Sequence, residues 1–227
     1  MWTRIGLKTK AKIALNRNYW KCVLVGLLTV LVVGGSAGVS NGGTVSKDVN
    51  DLLQSGAAAA AMRLVFSAVA IGGVISAVIG IFLRNPLTVG CSRFFFLNAD
   101  EAAEVGEVAF AFRENRYLKV VVADLMKNIF IFLYSLLFII PGIIKAYDYY
   151  LVDYILAEEP TLEWREALDR SRIMMRGHRW NTFVLNLSFL PWILLSALTF
   201  GIVGVFYTVP YTMQTNAELY RTLKEME

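Results

Sequence analysis

Long apolar runs alternate along the chain with short basic or polar segments. The longest runs, at 64–83, 120–140 and 183–209, reach or exceed the roughly 20 residues that a helix needs to cross a bilayer. They mostly lack the regularly spaced polar positions of a helix on the surface of a soluble protein. Hydropathy and helix breakers therefore predict six membrane-spanning helices, at 20–39, 63–84, 119–140, 143–158, 180–200 and 202–220.

The basic residues flank these helices on one side of the predicted membrane. With the N-terminus in the cytoplasm, 18 of the 22 Lys and Arg residues face the cytoplasm: Arg4, Lys8, Lys10, Lys12, Arg17, Lys21, Arg84, Arg93, Arg113, Arg116, Lys119, Arg165, Arg170, Arg172, Arg176, Arg179, Arg221 and Lys224. Cytoplasmic loops of membrane proteins carry such an excess. The sequence thus predicts an all-α, polytopic integral membrane protein, with three helical hairpins and both termini in the cytoplasm.

We expect one membrane domain over residues 1–227. The first hairpin occupies 1–99 and includes an outside loop at 40–62, the central hairpin occupies 100–160, and the third occupies 161–227. Each hairpin is preceded by a segment with the pattern of an amphipathic cytoplasmic helix: 3–17, 100–114 and 161–176. In the first of these segments, the apolar positions are Ile5, Leu7, Ile13 and Leu15.

The segment at 161–176 has acidic residues early and basic residues late, which suits the dipole of a helix that begins near Pro160 and Thr161. Its basic end carries Arg170, Arg172, Arg176 and Arg179. We predict that these arginines contact anionic lipid headgroups at the inner leaflet. Docking of a protein partner in a membrane complex is the alternative.

A stripe of small residues marks the second predicted span. Ala68, Gly72, Ser76 and Gly80 recur at every fourth position. Small residues on one face let a neighbouring helix approach closely inside a membrane. We interpret this stripe as a packing surface within the chain, and a homo-oligomer interface is the alternative.

The central hairpin contains ionisable residues inside or at the edge of its predicted spans: Asp124, Lys127, Lys145, Asp148 and Asp153. Such residues each cost roughly 2.5–3.5 kcal/mol in hydrocarbon, so they normally pair or line a polar cavity. Helical rise places Lys127 at a depth between Asp148 and Asp153. Three phenols follow a helical stripe nearby: Tyr147, Tyr150 and Tyr154. The cluster is either an ion-paired network that holds the hairpin together or the lining of an ion or substrate path.

Patterns of known catalytic chemistry are missing from the sequence. It has no P-loop, no dinucleotide-binding glycine pattern and no nucleophile elbow. Two cysteines and one histidine, His178, offer no metal-ligand pattern. The basic residues lie beside apolar runs and form no separate basic domain, which argues against nucleic-acid binding. We expect no enzyme activity, no cofactor and no metal.

Two alternatives concern the class of the protein. A soluble protein with buried core helices would need the polar faces that the runs lack. A cleaved signal peptide would account for the basic stretch 1–21, the apolar stretch 22–33 and the small residues that follow. The length and the amphipathic pattern of the basic stretch favour a retained first helix.

Several ordered motifs resemble the bacterial membrane family of domain of unknown function 975. They are Asn18-Tyr19-Trp20, Asn85-Pro86-Leu87-x-Val89-Gly90 followed by Arg93-Phe94-Phe95, Ile140-Pro141-Gly142-Ile143-Ile144-Lys145-Ala146-Tyr147, Glu166-Ala167-x-x-x-Ser171-Arg172-x-Met174-Met175-x-Gly177, Leu187-Ser188-Phe189 and Pro210-Tyr211-x-x-x-Thr215-x-Ala217-x-x-Tyr220. The chain is more distantly similar to the membrane domain of some glycerophosphodiester phosphodiesterases. The resemblance implies a multi-span protein, chiefly of Gram-positive bacteria, whose first span is retained and whose activity is unsettled.

The leading functional hypothesis is a non-enzymatic scaffold, an accessory of an envelope or export complex, or a lipid-interacting module. The alternative is a small transporter or channel component that uses the Asp, Lys and Tyr cluster of the central hairpin.

Overall fold

The computed structural model describes residues 2–34, 80–112 and 116–226, together with Gly72. Over these residues the chain is helical and contains no β-strand, which confirms the all-α prediction for them. The α-helices are α1 (Arg4–Arg17), α2 (Tyr19–Gly34), α3 (Asn85–Asn98), α4 (Tyr117–Leu137), α5 (Ile139–Asp148), α6 (Val152–Glu158), α7 (Trp164–Met174), α8 (Arg179–Leu187), α9 (Leu190–Leu198) and α10 (Val209–Lys224). Gly80–Arg84 and Gly204–Thr208 form π-helical turns, and Val105–Phe112 forms a 3₁₀ helix.

Two stretches are long and apolar enough to cross a membrane, Tyr117–Leu137 and Arg179–Leu198. Length and composition alone are weak evidence, because the core helix of a soluble protein has the same properties. However, only 22% and 17% of the residues in these two stretches are buried. They are therefore exposed apolar helices. The helix Tyr19–Leu31 is apolar but shorter.

The core lies where α1, α3, α6 and α10 meet. α1 packs along α10, and α3 packs against both α6 and the 3₁₀ helix. The largest fully buried side chains of this core include Phe94, Phe95, Leu151, Ile155 and Tyr220. α4, α5, α8 and α9 extend from it with largely exposed apolar faces. The buried core is thus separate from the apolar ends of the second and third hairpins.

The predicted fourth span, 143–158, is broken into two helices. α5 ends at Asp148 and α6 begins at Val152. Ser171 of α7 lies in the gap, where its hydroxyl donates to the carbonyl of Asp148 at 2.7 Å and accepts the amide N–H of Leu151 at 3.2 Å. A side chain from a distant segment thus replaces bonds of the helix backbone, and this explains the break.

The three predicted amphipathic segments differ from expectation. α1 buries Leu7, Ala11, Ala14 and Leu15. Ile5 and Ile13, which were predicted to share an apolar face with Leu7 and Leu15, are instead 81% and 65% exposed. The two alanines let α10 approach α1 closely, so the face that contains them is the buried one. Within the second predicted segment, Val105–Phe112 forms the 3₁₀ helix instead of an α-helix, and α7 begins at Trp164, three residues after Thr161.

Two of the four residues of the predicted small-residue stripe, and the whole outside loop 40–62, lie outside the described residues. Of the stripe, Ala68 and Ser76 are outside them, Gly72 is exposed, and Gly80 begins a π-helical turn. No atom within 4 Å would contact a Cβ at Gly72. The packing role of the stripe stays a prediction.

Gly90 sets the distance between α3 and the 3₁₀ helix. A Cβ at this position would overlap the carbonyl oxygen of Val108 and lie 2.7 Å from its carbonyl carbon. Because the obstacle is backbone, we expect Gly90→Ala to lower the free energy of unfolding by about 1–3 kcal/mol. Thermal unfolding of the purified protein measures this loss. Gly106→Ala is the matched control, because no atom lies within 4 Å of a Cβ there, and equal losses in the two variants would contradict the prediction.

Candidate functional site: two ion-paired clusters on the central hairpin

The first ion cluster consists of Asp124, Lys127, Asn128 and Asp153. Nζ of Lys127 lies 2.6 Å from Oδ1 of Asp153 and also forms an ion pair with Asp124. Nδ2 of Asn128 donates to Oδ2 of Asp124 at 3.1 Å. Lys127 is therefore held between two carboxylates, one on its own helix and one on α6.

Helical geometry explains this arrangement. Asp124 and Lys127 are three residues apart, so both lie on the face of α4 that is directed toward α6. Asp153 lies in the first turn of α6, directly after the helix break. The break therefore positions Asp153 opposite Lys127.

The second ion cluster consists of Lys145, Asp148 and Arg179. Asp148 is 2% exposed. Its Oδ2 lies 3.4 Å from Nζ of Lys145, and its Oδ1 lies 2.5 Å from Nε of Arg179. The Arg179 contact has the distance of an ion pair without the alignment of a hydrogen bond. It joins the end of α5 to the start of α8.

The predicted single cluster is therefore two. Sequence analysis placed Lys127 between Asp148 and Asp153, and the structure places it between Asp124 and Asp153. Asp148 belongs to the other cluster. The helix is broken between Asp148 and Asp153, so the two carboxylates do not lie on one continuous helix. Of the two carboxylates expected near Lys127, only Asp153 is there.

The tyrosines also divide. Tyr147 and Tyr150 stack with ring centroids 5.8 Å apart. Asn186 of α8 connects their hydroxyls, accepting from Tyr150 at 3.2 Å and donating to Tyr147 at 3.5 Å. Tyr154 instead donates to the carbonyl of Met213 at 3.1 Å. The hydroxyls thus bond to groups on α8 and α10 instead of to the carboxylates.

The surface cavities of the described residues include four that neither ion cluster lines. Two of these have volumes of about 450 and 460 Å³. One lies between the starts of α1 and α8, and the other is an apolar groove on α4 near Phe130 and Leu137. Within each cluster, the charges are paired with one another.

The four arginines predicted to contact lipid fall into two groups. Arg170 forms an ion pair with Glu159 at 2.8 Å, and Arg179 forms one with Asp148. Arg172 and Arg176 are exposed. Half of the predicted positive surface is therefore already neutralised by carboxylates of the chain.

Sequence analysis missed a buried network of side-chain amides. Asn98 is fully buried and accepts from Nδ2 of Asn18 at 3.0 Å. Its own Nδ2 donates to Oε1 of Gln214 at 2.9 Å and to the carbonyl of Ala14 at 3.2 Å. The network joins α1, α3 and α10. An available signal was the presence of Asn18 and Gln214 beside or within apolar runs, where an amide needs a partner.

Comparisons with known proteins gave one match. Residues 136–227 match the family model described as Protein of unknown function (DUF975). No curated protein and no solved structure matched the chain. The match covers α5 from its start, both helices of the third hairpin and the carboxylates Asp148 and Asp153. Over this region the chain is similar to the family of domain of unknown function 975.

Proposed function

We propose that the chain is a multi-pass protein of the plasma membrane, with three hairpins that begin on the cytoplasmic side, six crossings and both termini in the cytoplasm. Support comes from the apolar ends of the second and third hairpins. Phe138 is 69% exposed and Phe200 is 99% exposed, and both lie at turns flanked by exposed leucines and isoleucines. Surfaces of this kind are unfavourable in water and favourable in lipid.

We further propose that the protein acts without catalysis, as a scaffold or accessory component that contacts lipid and protein partners. The observation that carries this proposal is the charge pairing within both ion clusters. Lys127 and Asp148 each have two partners of opposite charge, and neither residue lines the four cavities described above. Charges that are paired in this way hold helices together. We therefore expect the contacts with lipid and protein partners to lie on the outer surface of the molecule.

A transport function is the second candidate. The observation in its favour is the presence of Asp124 and Lys127 within an apolar helix long enough to cross a membrane. Transport predicts solute flux into liposomes that Asp153→Asn abolishes while the protein stays folded. If the variant only lowers stability and no solute moves, the cluster is structural and transport is excluded.

Thiol labelling tests the proposed topology. Cys22 and Cys91 are buried, so the native chain is an unlabelled background for single cysteines. We expect a membrane-impermeant maleimide to label Phe200→Cys in intact cells, and to label Met226→Cys only after permeabilisation. Met226 is exposed beside the C-terminus, where the proposal requires cytoplasm.

Other labelling patterns would contradict specific parts of the topology. Labelling of Met226→Cys in intact cells would make the orientation wrong. Protection of Phe200→Cys from both sides would mean that the third hairpin dips into the membrane instead of crossing it, and six crossings would then be wrong.

Crosslinking in native membranes tests the scaffold proposal. We expect a partner or lipid in fixed stoichiometry to co-purify with the wild-type chain. Recovery of the chain alone from repeated native preparations, by crosslinking and by mass analysis, would contradict a scaffold role without affecting the topology.

A further inference from the structure

A row of three cations lies along one side of α1. This cation row consists of Arg4, Lys8 and Lys12, which are four residues apart and extend over about 12 Å of the helix. Among the described residues, no carboxylate lies within ion-pair distance of any of the three. The row thus differs from Arg170 and Arg179, whose charges are paired.

The neighbours of the cation row are polar or aromatic but uncharged. Nζ of Lys8 donates to the carbonyl of Ser188 at 3.3 Å and lies 4.2 Å from the ring centroid of Phe189. Nζ of Lys12 lies 5.8 Å from the ring centroid of Tyr211. Burial, and then the positive charges of Arg4 and Lys12, lower the pKa of Lys8. An anion beside the row would relieve this repulsion.

A groove of about 450 Å³ begins at the Arg4 end of the row, between the starts of α1 and α8. The groove is lined by Trp2, Thr3, Arg4, Ile5, Trp180, Asn181 and Val184. Nε1 of Trp2 donates to Nδ1 of His178 at 3.2 Å, which fixes one side of the groove. Trp180 on the other side is 72% exposed. Exposed indoles are typical of the headgroup level of a membrane.

We propose that the cation row and this groove bind the phosphate of an anionic phospholipid at the cytoplasmic leaflet. The proposal rests on the membrane location proposed above and adds a ligand class and a site. An unpaired row of cations supplies the charge complementarity, and the adjacent indoles place that charge at the level of phosphates. A basic surface in water, without indoles beside it, would have no such preference for an anionic phospholipid.

Two double variants of the full chain test the site. Arg4→Gln with Lys12→Gln removes the two exposed ends of the row. Lys10→Gln with Lys21→Gln removes the same charge from exposed positions outside the row, since Lys10 lines a different depression together with Glu218. Binding of dioctanoyl phosphatidylglycerol and of dioctanoyl phosphatidylcholine to detergent-purified protein is measured by native mass spectrometry.

We expect the wild type and the Lys10/Lys21 variant to prefer the anionic lipid. We expect the Arg4/Lys12 variant to bind it about twenty-five-fold more weakly, since each basic side chain at an anionic surface contributes about a factor of five. Equal binding by the two double variants, or no preference for the anionic lipid, would overturn the site. Competition by millimolar inorganic phosphate would assign the site to free phosphate instead of lipid and would also overturn the proposal.

Carbonate extraction of membranes separates failure of the site from failure of the membrane proposal. Release of the wild-type chain into the soluble fraction would contradict the membrane location itself. Retention of all three proteins in the membrane, together with equal lipid binding, would contradict only the lipid site.

Discussion

Replacing Lys127 with methionine is expected to lower the free energy of unfolding by about 3–5 kcal/mol, because two carboxylates then lose their shared cation. Asp124 and Asp153 both bind Nζ of Lys127, and Asp124 also accepts a hydrogen bond from the amide of Asn128. Unfolding of the purified protein in mixed micelles measures the loss. Methionine keeps most of the side-chain volume, so the change reports on charge more than on packing.

Two comparisons make the Lys127 prediction specific. Lys145→Met removes a lysine whose side chain is about as exposed as that of Lys127, but Asp148 keeps Arg179, so we expect a clearly smaller loss. Asp124→Asn and Asp153→Asn, combined with Lys127→Met, remove all three charges and should recover much of the stability. A triple variant no more stable than Lys127→Met alone would show that the ion pairs do not account for the loss.

The sequence predicted those parts of the structure that depend on local pattern. A long apolar run gives the helix Tyr117–Leu137 almost as predicted at 119–140, because run length and the absence of breakers are local properties. The proximity of Lys127 and Asp153 was also predictable, since depth along a hairpin follows from helical rise. Depth along a helix does not tell on which side of the helix a residue lies, so the predicted proximity of Asp148 to Lys127 was wrong.

The errors arose where a distant segment decides the local structure. Ser171 is more than twenty residues from the break between α5 and α6, and its two hydrogen bonds create that break. Likewise, the pattern placed Ile5, Leu7, Ile13 and Leu15 together on α1, but of these four only Leu7 and Leu15 are buried. The buried face of α1 also contains Ala11 and Ala14, and α1 packs along α10.

The predicted lipid contacts also depended on the arrangement of distant segments. Counting basic residues favoured the arginines around α7, but pairing with Glu159 and Asp148 neutralises two of them. The residues of the cation row are equally basic in the sequence, and only the fold shows that no carboxylate in the described part of the chain forms an ion pair with them. Uncompensated charge is a property of the three-dimensional arrangement, so a sequence count does not locate it.

The amide network supports the second large prediction. We expect Asn98→Leu to lower the free energy of unfolding by about 2–4 kcal/mol, because Oε1 of Gln214 and the carbonyl of Ala14 lose their donor in a buried site. Asn18 keeps one bond, to the carbonyl of Ala103 at 2.9 Å. Equilibrium unfolding of the purified protein measures the loss.

Asn16→Leu is the matched control for the Asn98 prediction, since it makes the same change at an exposed position and should stay within about 0.5 kcal/mol of wild type. A double-mutant cycle isolates the network itself. Gln214→Leu alone removes the Oε1 acceptor of Asn98, which keeps its bond to the carbonyl of Ala14, whereas Asn98→Leu with Gln214→Leu removes both members of the bond. The double variant should therefore lose less stability than the sum of the two single losses. Strict additivity would mean that the two amides stabilise the protein independently, and the network would then not be the unit that joins α3 to α10.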